Sequence, residues 1–196
     1  RNAQEAFRLT LDEGNSLLSA RVNASGWLTV TAQQSGYKGS VTVYNSTFDK
    51  EVIQINLSST FIMDAVLSPD CKTVAIVTLG QANGSYESQV RFYPVDQKEP
   101  SAVVSLGNMI PLDLDYESGA LWVLGEDRVS IVSPDGGQPV SYFLGRSYLK
   151  GSSLGGDGFA VLLLGRYRAG SANQIVTIDD QGQAIATQDL PSTVLS

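Results

Sequence analysis

The chain contains no histidine and one cysteine in 196 residues. The missing histidine excludes Ser-His-Asp and Cys-His nucleophilic arrangements, imidazole general bases and histidine metal sites. The single Cys71 excludes an intrachain disulfide and a thiolate zinc site. It lies in the turn Ser68-Pro69-Asp70-Cys71-Lys72, where related blades usually place Gly, and reads as a turn substitution rather than a nucleophile. Basic residues are also scarce. Thirteen Lys and Arg against twenty Asp and Glu give a net charge of −7. Nucleic-acid phosphates and anionic membrane surfaces both call for clustered cations, so neither is an expected partner. The charge itself favours solubility. No apolar run approaches the roughly 18 residues of a membrane span, and the longest, 159–164, is strand-sized. The polar start Arg1-Asn2-Ala3-Gln4-Glu5 has no signal-peptide character, and a chain without an initial methionine reads as a piece of something longer. Neither a P-loop nor a G-x-G-x-x-G run occurs.

What is present is a repeat. Second-strand runs occur at Trp27-Leu28-Thr29-Val30, Val74-Ala75-Ile76-Val77, Leu121-Trp122-Val123-Leu124 and 159–164. Third strands follow at Val41-Thr42-Val43-Tyr44, Val90-Arg91-Phe92-Tyr93, Val129-Ser130-Ile131-Val132 and Ile175-Val176-Thr177-Ile178. From Val41 to Val90, Val129 and Ile175 the spacings are 49, 39 and 46 residues. Four-strand units at roughly 40–50 residues are the sequence form of propeller blades. The expected fold is therefore an all-β propeller of about four four-stranded blades, with a β-sandwich as the alternative. A lead-in of 1–15 precedes blades at 16–59, 60–107, 108–145 and 146–192. Residues 193–196 read as the start of a further strand, so the chain is expected to be part of a larger propeller.

Turn chemistry sets the boundaries. Gly36 and Gly39 are both expected to supply positive φ in the first central turn, and Ser68-Pro69-Asp70, 133–137 and 179–182 supply Pro, Asp and Gly where tight turns need them. Val41, Val43, Val90 and Phe92 share one parity, while Thr42, Tyr44, Arg91 and Tyr93 are expected on a wetter side. The N-x-S/T triplets at Asn23, Asn45, Asn56 and Asn83 read as turn residues.

The runs 36–45, 67–77 and 158–170 resemble a family of unknown function from Gram-positive bacteria. Its members look like membrane proteins with an N-terminal anchor and an extracellular, WD-repeat-like β-propeller. The resemblance begins near Gly26 and carries no catalytic residue across. It implies an extracellular or cell-surface location, tethered by an anchor absent from this chain.

Candidate sites are few, and neither catalytic residues nor a cofactor are expected. Asp113, Asp115 and Glu117 alternate before Gly119 in the manner of a calcium loop, but the distal bidentate glutamate is displaced to Glu126. Arg146, Arg166 and Arg168, with Tyr167, gather basic charge suited to an anionic group. Tyr37, Tyr86, Tyr142 and Tyr148 are expected in or beside loops where sugars or proteins stack. Trp27 and Trp122 are expected in the core. The expected role is a non-catalytic binding module or scaffold for a protein or glycan. The alternatives are a carboxylate enzyme acting on a polysaccharide, and a structural spacer. Open blade ends suggest a homodimer.

Overall fold

The computed structural model describes residues 8–155, 157–166 and 172–191. Among these residues sixteen strands form four separate four-stranded antiparallel sheets, each a simple meander in chain order. The first sheet holds β1 (Ser16–Val22), β2 (Leu28–Gln33), β3 (Gly39–Tyr44) and β4 (Glu51–Leu57). The second holds β5 (Phe61–Leu67), β6 (Thr73–Ala82), β7 (Ser85–Pro94) and β8 (Ala102–Gly107). The third holds β9 (Pro111–Glu117), β10 (Ala120–Gly125), β11 (Arg128–Val132) and β12 (Val140–Phe143). The fourth holds β13 (Tyr148–Gly155), β14 (Phe159–Gly165), β15 (Gln174–Asp179) and β16 (Ala184–Asp189). A sandwich would pack two sheets face to face; here four small sheets follow one another as blades. Among the described residues no helix is long and apolar enough to cross a membrane.

Period-2 alternation gives each second and third strand two apolar sides, one for each neighbouring blade. Val41, Val43, Ile53 and Ile55 of blade one pack on Ile62, Leu67, Val74 and Ile76 of blade two. The opposite side of blade two, with Val77, Val90 and Phe92, packs on Leu114, Leu121 and Val123 of blade three. Trp122, Leu124 and Ile131 of blade three then meet Leu162, Leu164, Val176 and Ile178 of blade four. These three apolar layers hold the blades together. Among the described residues, no apolar layer joins blade four to blade one.

The stretch before β1 lies against the other side of blade one. Asp12 and Asn15 share a cleft with Gln34, Ser40, Gln54 and Asn56. Burial, then the charges of Glu51 and Asp12, push the Tyr44 hydroxyl above its ordinary range.

Several turns form as their residues dictate. Asn83-Gly84 and Ser118-Gly119 each place two successive residues at positive φ, the pattern of a two-residue type I′ hairpin. The Asn-Gly pair extends β6 and β7 as far as Ala82 and Ser85, well beyond the apolar runs 74–77 and 90–93. Cys71 sits at φ 60°, the left-handed region that explains why glycine suits this position. Its turn is held by Ser68, whose hydroxyl accepts from the amides of Lys72 and Thr73 and donates to Asp70 at 2.6 Å. That bond from Ser68 holds the Asp70 carboxyl below its ordinary range.

Two expectations need correction. Gly36 has positive φ but Gly39 does not. Gly39 is instead a close-approach position: a Cβ there would lie 2.9 Å from Ile62 Cδ1 and 3.0 Å from the Ala32 carbonyl oxygen. Nor are Thr42 and Tyr93 on a wet side: Thr42 is 7% exposed, and Tyr93 is buried in the layer between blades one and two, because β7 is covered on both faces.

Candidate functional site

Antiparallel strands send the turns of each blade to two faces. Turns joining first to second and third to fourth strands emerge on one, here the hairpin face. Second-to-third turns and the links between blades emerge on the other, the linker face.

On the linker face three aromatic rings converge. Tyr37 comes from the β2–β3 turn, Phe61 from the first residue of β5, and Tyr86 from the second residue of β7. All three are exposed. Tyr37 and Phe61 stand with ring centroids 4.5 Å apart and planes tilted by 51°. Together with Leu79, Gly80 and Gln81 the rings bound a pocket of about 80 Å³. The long β6–β7 hairpin carries Tyr86 out to this pocket. Gly80 keeps its neighbourhood open, since a Cβ there would meet Thr60 Cγ2 at 3.0 Å. The sequence singled out Tyr37 and Tyr86 but not Phe61.

The other tyrosines do not join them. Tyr142 is half-buried in β12 and packs on the layer between blades three and four, so it is a core residue rather than a loop aromatic. Tyr148 opens β13 and pairs with Gly165. Arg146 lies just before β13 and Arg166 just after β14, so both exposed arginines stand at the linker-face end of blade four. Tyr167 and Arg168 lie outside the described residues.

The second candidate region is built by a repeated irregularity. Each first strand carries one extra residue opposite its partner: Leu18, Met63, Leu112 and Lys150. A bulge re-aims the side chain that follows it. The residues after the bulges are Ser19, Asp64, Asp113 and Gly151. Ser19 Oγ donates to Asp64 Oδ1 at 2.5 Å. Arg21, two residues further along β1, donates to Asp64 through Nε at 2.9 Å and Nη2 at 2.5 Å, and to Asp113 through Nη2 at 2.5 Å. One guanidinium thus ties the inner strands of three blades. Burial pulls the Arg21 pKa down, but the hydrogen bonds and charges of Asp64 and Asp113 outweigh it and hold the group above its ordinary value.

Asp113, Asp115 and Glu117 do not form a calcium loop. They are strung along β9, and each carboxylate has its own engagement: Asp113 accepts from Leu114 N and Arg21, Asp115 from Tyr116 N, and Glu117 from Ser118 Oγ. Among the described residues no three acidic or thiol side chains gather as metal ligands do. On the strand Asp113 and Glu117 are four residues apart, roughly 13 Å along the backbone, and the Ser118-Gly119 turn is too tight to fold Glu117 back.

The Asn triplets behave as turn and strand residues. Asn23 Oδ1 accepts from the amides of Ser25 and Trp27, and its amide donates to the Ser68 carbonyl. Asn45 donates to Asp49 at 2.8 Å. Asn83 occupies its hairpin turn, and Asn56 is exposed on β4.

Comparison with solved structures supports the fold alone, all at low identity. The chain is similar to hydrazine synthase of Kuenenia stuttgartiensis, with TM-score 0.66 and 12% identity over 96% of this chain and 53% of that one. It is similar to BBS1N, solved in complex with ARL6DN, with TM-score 0.61 and 12% identity over 94% of this chain and 58% of that one. A third is the Cps50 (Swd1) β-propeller domain of Myceliophteria thermophila, with TM-score 0.57 and 10% identity over 90% and 57%. The chain thus spans between half and three-fifths of the length of these structures. No curated protein matches its sequence. The model of one family does match, over residues 10–190, and the chain belongs to that family of unknown function, DUF5711.

Proposed function

We propose that this chain is a non-catalytic binding module, displayed outside a bacterial cell from an anchor elsewhere in its protein, that takes a protein partner on its linker face. The observation that carries the reading is the convergence of Tyr37, Phe61 and Tyr86 on one small pocket. Exposed rings held by rigid strands offer large contact area at low ordering cost, and a pocket among them fits an apolar anchor side chain. A catalytic role for Asp64 and Asp113 has less support, because both carboxylates are engaged by Arg21.

Selection of phage-displayed peptides on the immobilised chain tests this. Enriched peptides should carry an apolar anchor, and Tyr86→Ala or Tyr37→Ala should weaken them by at least about tenfold, as loss of an aromatic hot spot does. Equal binding to both variants, or binding only of neutral oligosaccharides in a parallel screen, overturns the protein reading.

Pairing between copies is a second proposal. Phe159, Val161, Leu163 and Ile175 occupy the side of blade four away from blade three and are only half-buried. A contiguous apolar strip of this kind calls for a cover. Light scattering on the eluting chain should give twice 20.9 kDa. A concentration-independent monomer contradicts it.

A further inference from the structure

The aromatic pocket on the linker face is small, about 80 Å³, where sites that enclose a small molecule run to roughly 300–1,000 Å³. It has room for one compact side chain. Its lining, Tyr37, Phe61, Leu79, Gly80, Gln81 and Tyr86, contains no charged residue. A charged anchor would lose hydration there with no counter-charge to meet. The lining does carry hydrogen-bonding groups. The hydroxyls of Tyr37 and Tyr86 and the side-chain amide of Gln81 belong to exposed residues and have no partner among the described residues.

The ways in which folded domains take a peptide differ in what they require. Strand addition needs a free sheet edge. Here β6 pairs with β7 to its end and with β5 as far as Leu79, which leaves an open edge only at 80–82. Thr60 lies close against Gly80 on that short stretch. A helix in a groove needs anchors at i, i+3 or i+4 and i+7, spread over roughly 10 Å, and a pocket of this size takes one anchor. A phosphorylated or acidic segment needs clustered arginine, and the lining has none. A polyproline II segment needs an aromatic-lined depression with hydrogen-bond donors beside it. That is the requirement this pocket meets.

We propose, on the reading that a protein partner docks at the linker face, that the partner presents a proline-rich segment in the polyproline II conformation, with one proline ring seated among Tyr37, Phe61 and Tyr86. Proline has no N–H to leave unpaired against apolar rings. Its saturated ring lies against the electron-rich face of an aromatic ring. The polyproline II chain makes no internal hydrogen bonds, so its carbonyls accept from the Tyr37 and Tyr86 hydroxyls and the Gln81 amide. Its stiffness keeps the ordering cost low, which a contact this small requires.

The test is a two-dimensional amide NMR titration with three neutral-backbone probes: a capped alanine-based peptide with two prolines at i and i+3, the same peptide with leucine at both positions, and the same with lysine. The proline peptide should shift resonances of residues 36–38, 60–62 and 79–87. The leucine and lysine peptides should bind at least about tenfold more weakly. Tyr86→Ala should weaken the proline peptide at least about tenfold, and Tyr86→Phe, which keeps the ring and loses the donor, roughly two- to tenfold. Added salt should leave its affinity unchanged, because no charge is paired. Tyr86 is exposed, so these variants are expected to keep the fold. Equal or tighter binding of the leucine or lysine peptide, still dependent on Tyr86, overturns the proline assignment and leaves the linker-face reading standing. Binding of the proline peptide that is unaltered by Tyr86→Ala also overturns the assignment. Failure of all three probes, together with failure of the displayed-peptide selection, overturns both.

Discussion

Replacing Trp122 by alanine is expected to cost about 3–5 kcal/mol, the largest loss from any single side chain in this molecule. Trp122 is 0% exposed and is the bulkiest fully buried side chain. It packs in the layer that joins blade three to blade four, with Leu124, Ile131, Leu162 and Ile178. Those neighbours sit on paired strands and cannot collapse into the vacated space without breaking ladders, so a cavity persists. The effect should also be local in kinetics. The apolar layers join only neighbouring blades, so amide exchange should rise first in β14 and β15 and last in β2 and β3. Trp122→Phe should cost less than half as much. The indole N–H has no hydrogen-bond partner among the described residues, and phenylalanine removes that unpaired donor while keeping most of the ring. Urea midpoints at unchanged slope separate the two variants. Equal losses for Phe and Ala would show that the indole N–H is satisfied in solution.

The second large effect is expected at Arg21. Removing one partner of a fully buried ion pair costs about 3–5 kcal/mol, because the other charge is left alone. Here the side chain of Arg21 is 31% exposed and that of Asp64 is 13% exposed, so solvent screening reduces the expectation for Arg21→Met to about 1–3 kcal/mol. Asp113, with its side chain 56% exposed, adds little. The double variant Arg21→Met with Asp64→Asn should recover much of the loss, since the stranded carboxylate disappears. Additive losses in that cycle would contradict the pairing. Arg21 stays charged at every pH below the ordinary arginine range, because its folded-state value is raised, so deprotonation of the guanidinium weakens the pair only above that range.

Strand positions were legible to an unusual degree, and local chemistry explains why. The third strand of blade four, expected at 175–178, is found at Gln174–Asp179. The turn expected at 179–182 is fixed by Asp179 itself, whose carboxylate accepts from the amides of Gln181 and Gln183. The β6–β7 hairpin was read too short because Gln81 to Glu87 is polar, although Asn83-Gly84 is a strong hairpin signal. Tyr93 was misplaced because alternation cannot tell a strand with one covered face from one with two. The site was less legible. Arg21 lies 43 residues from Asp64 and 92 from Asp113, and no spacing rule links them. Their meeting depends on the bulges at Leu18, Met63 and Leu112, which are properties of strand pairing rather than of any short motif. Phe61 was hidden for a related reason. It reads as the apolar start of a strand, and only the neighbouring blade-one turn and the long hairpin make it the middle of an aromatic cluster.

The central claim is that the linker face, at the junction of blades one and two, is where a partner binds. Hydrogen exchange of the chain with and without a saturating selected peptide tests it most directly. The account predicts slowed exchange in three segments that meet only in the fold: 34–38, 58–62 and 79–87. Protection confined to the hairpin face, at 23–27, 68–72 or 133–139, would contradict it.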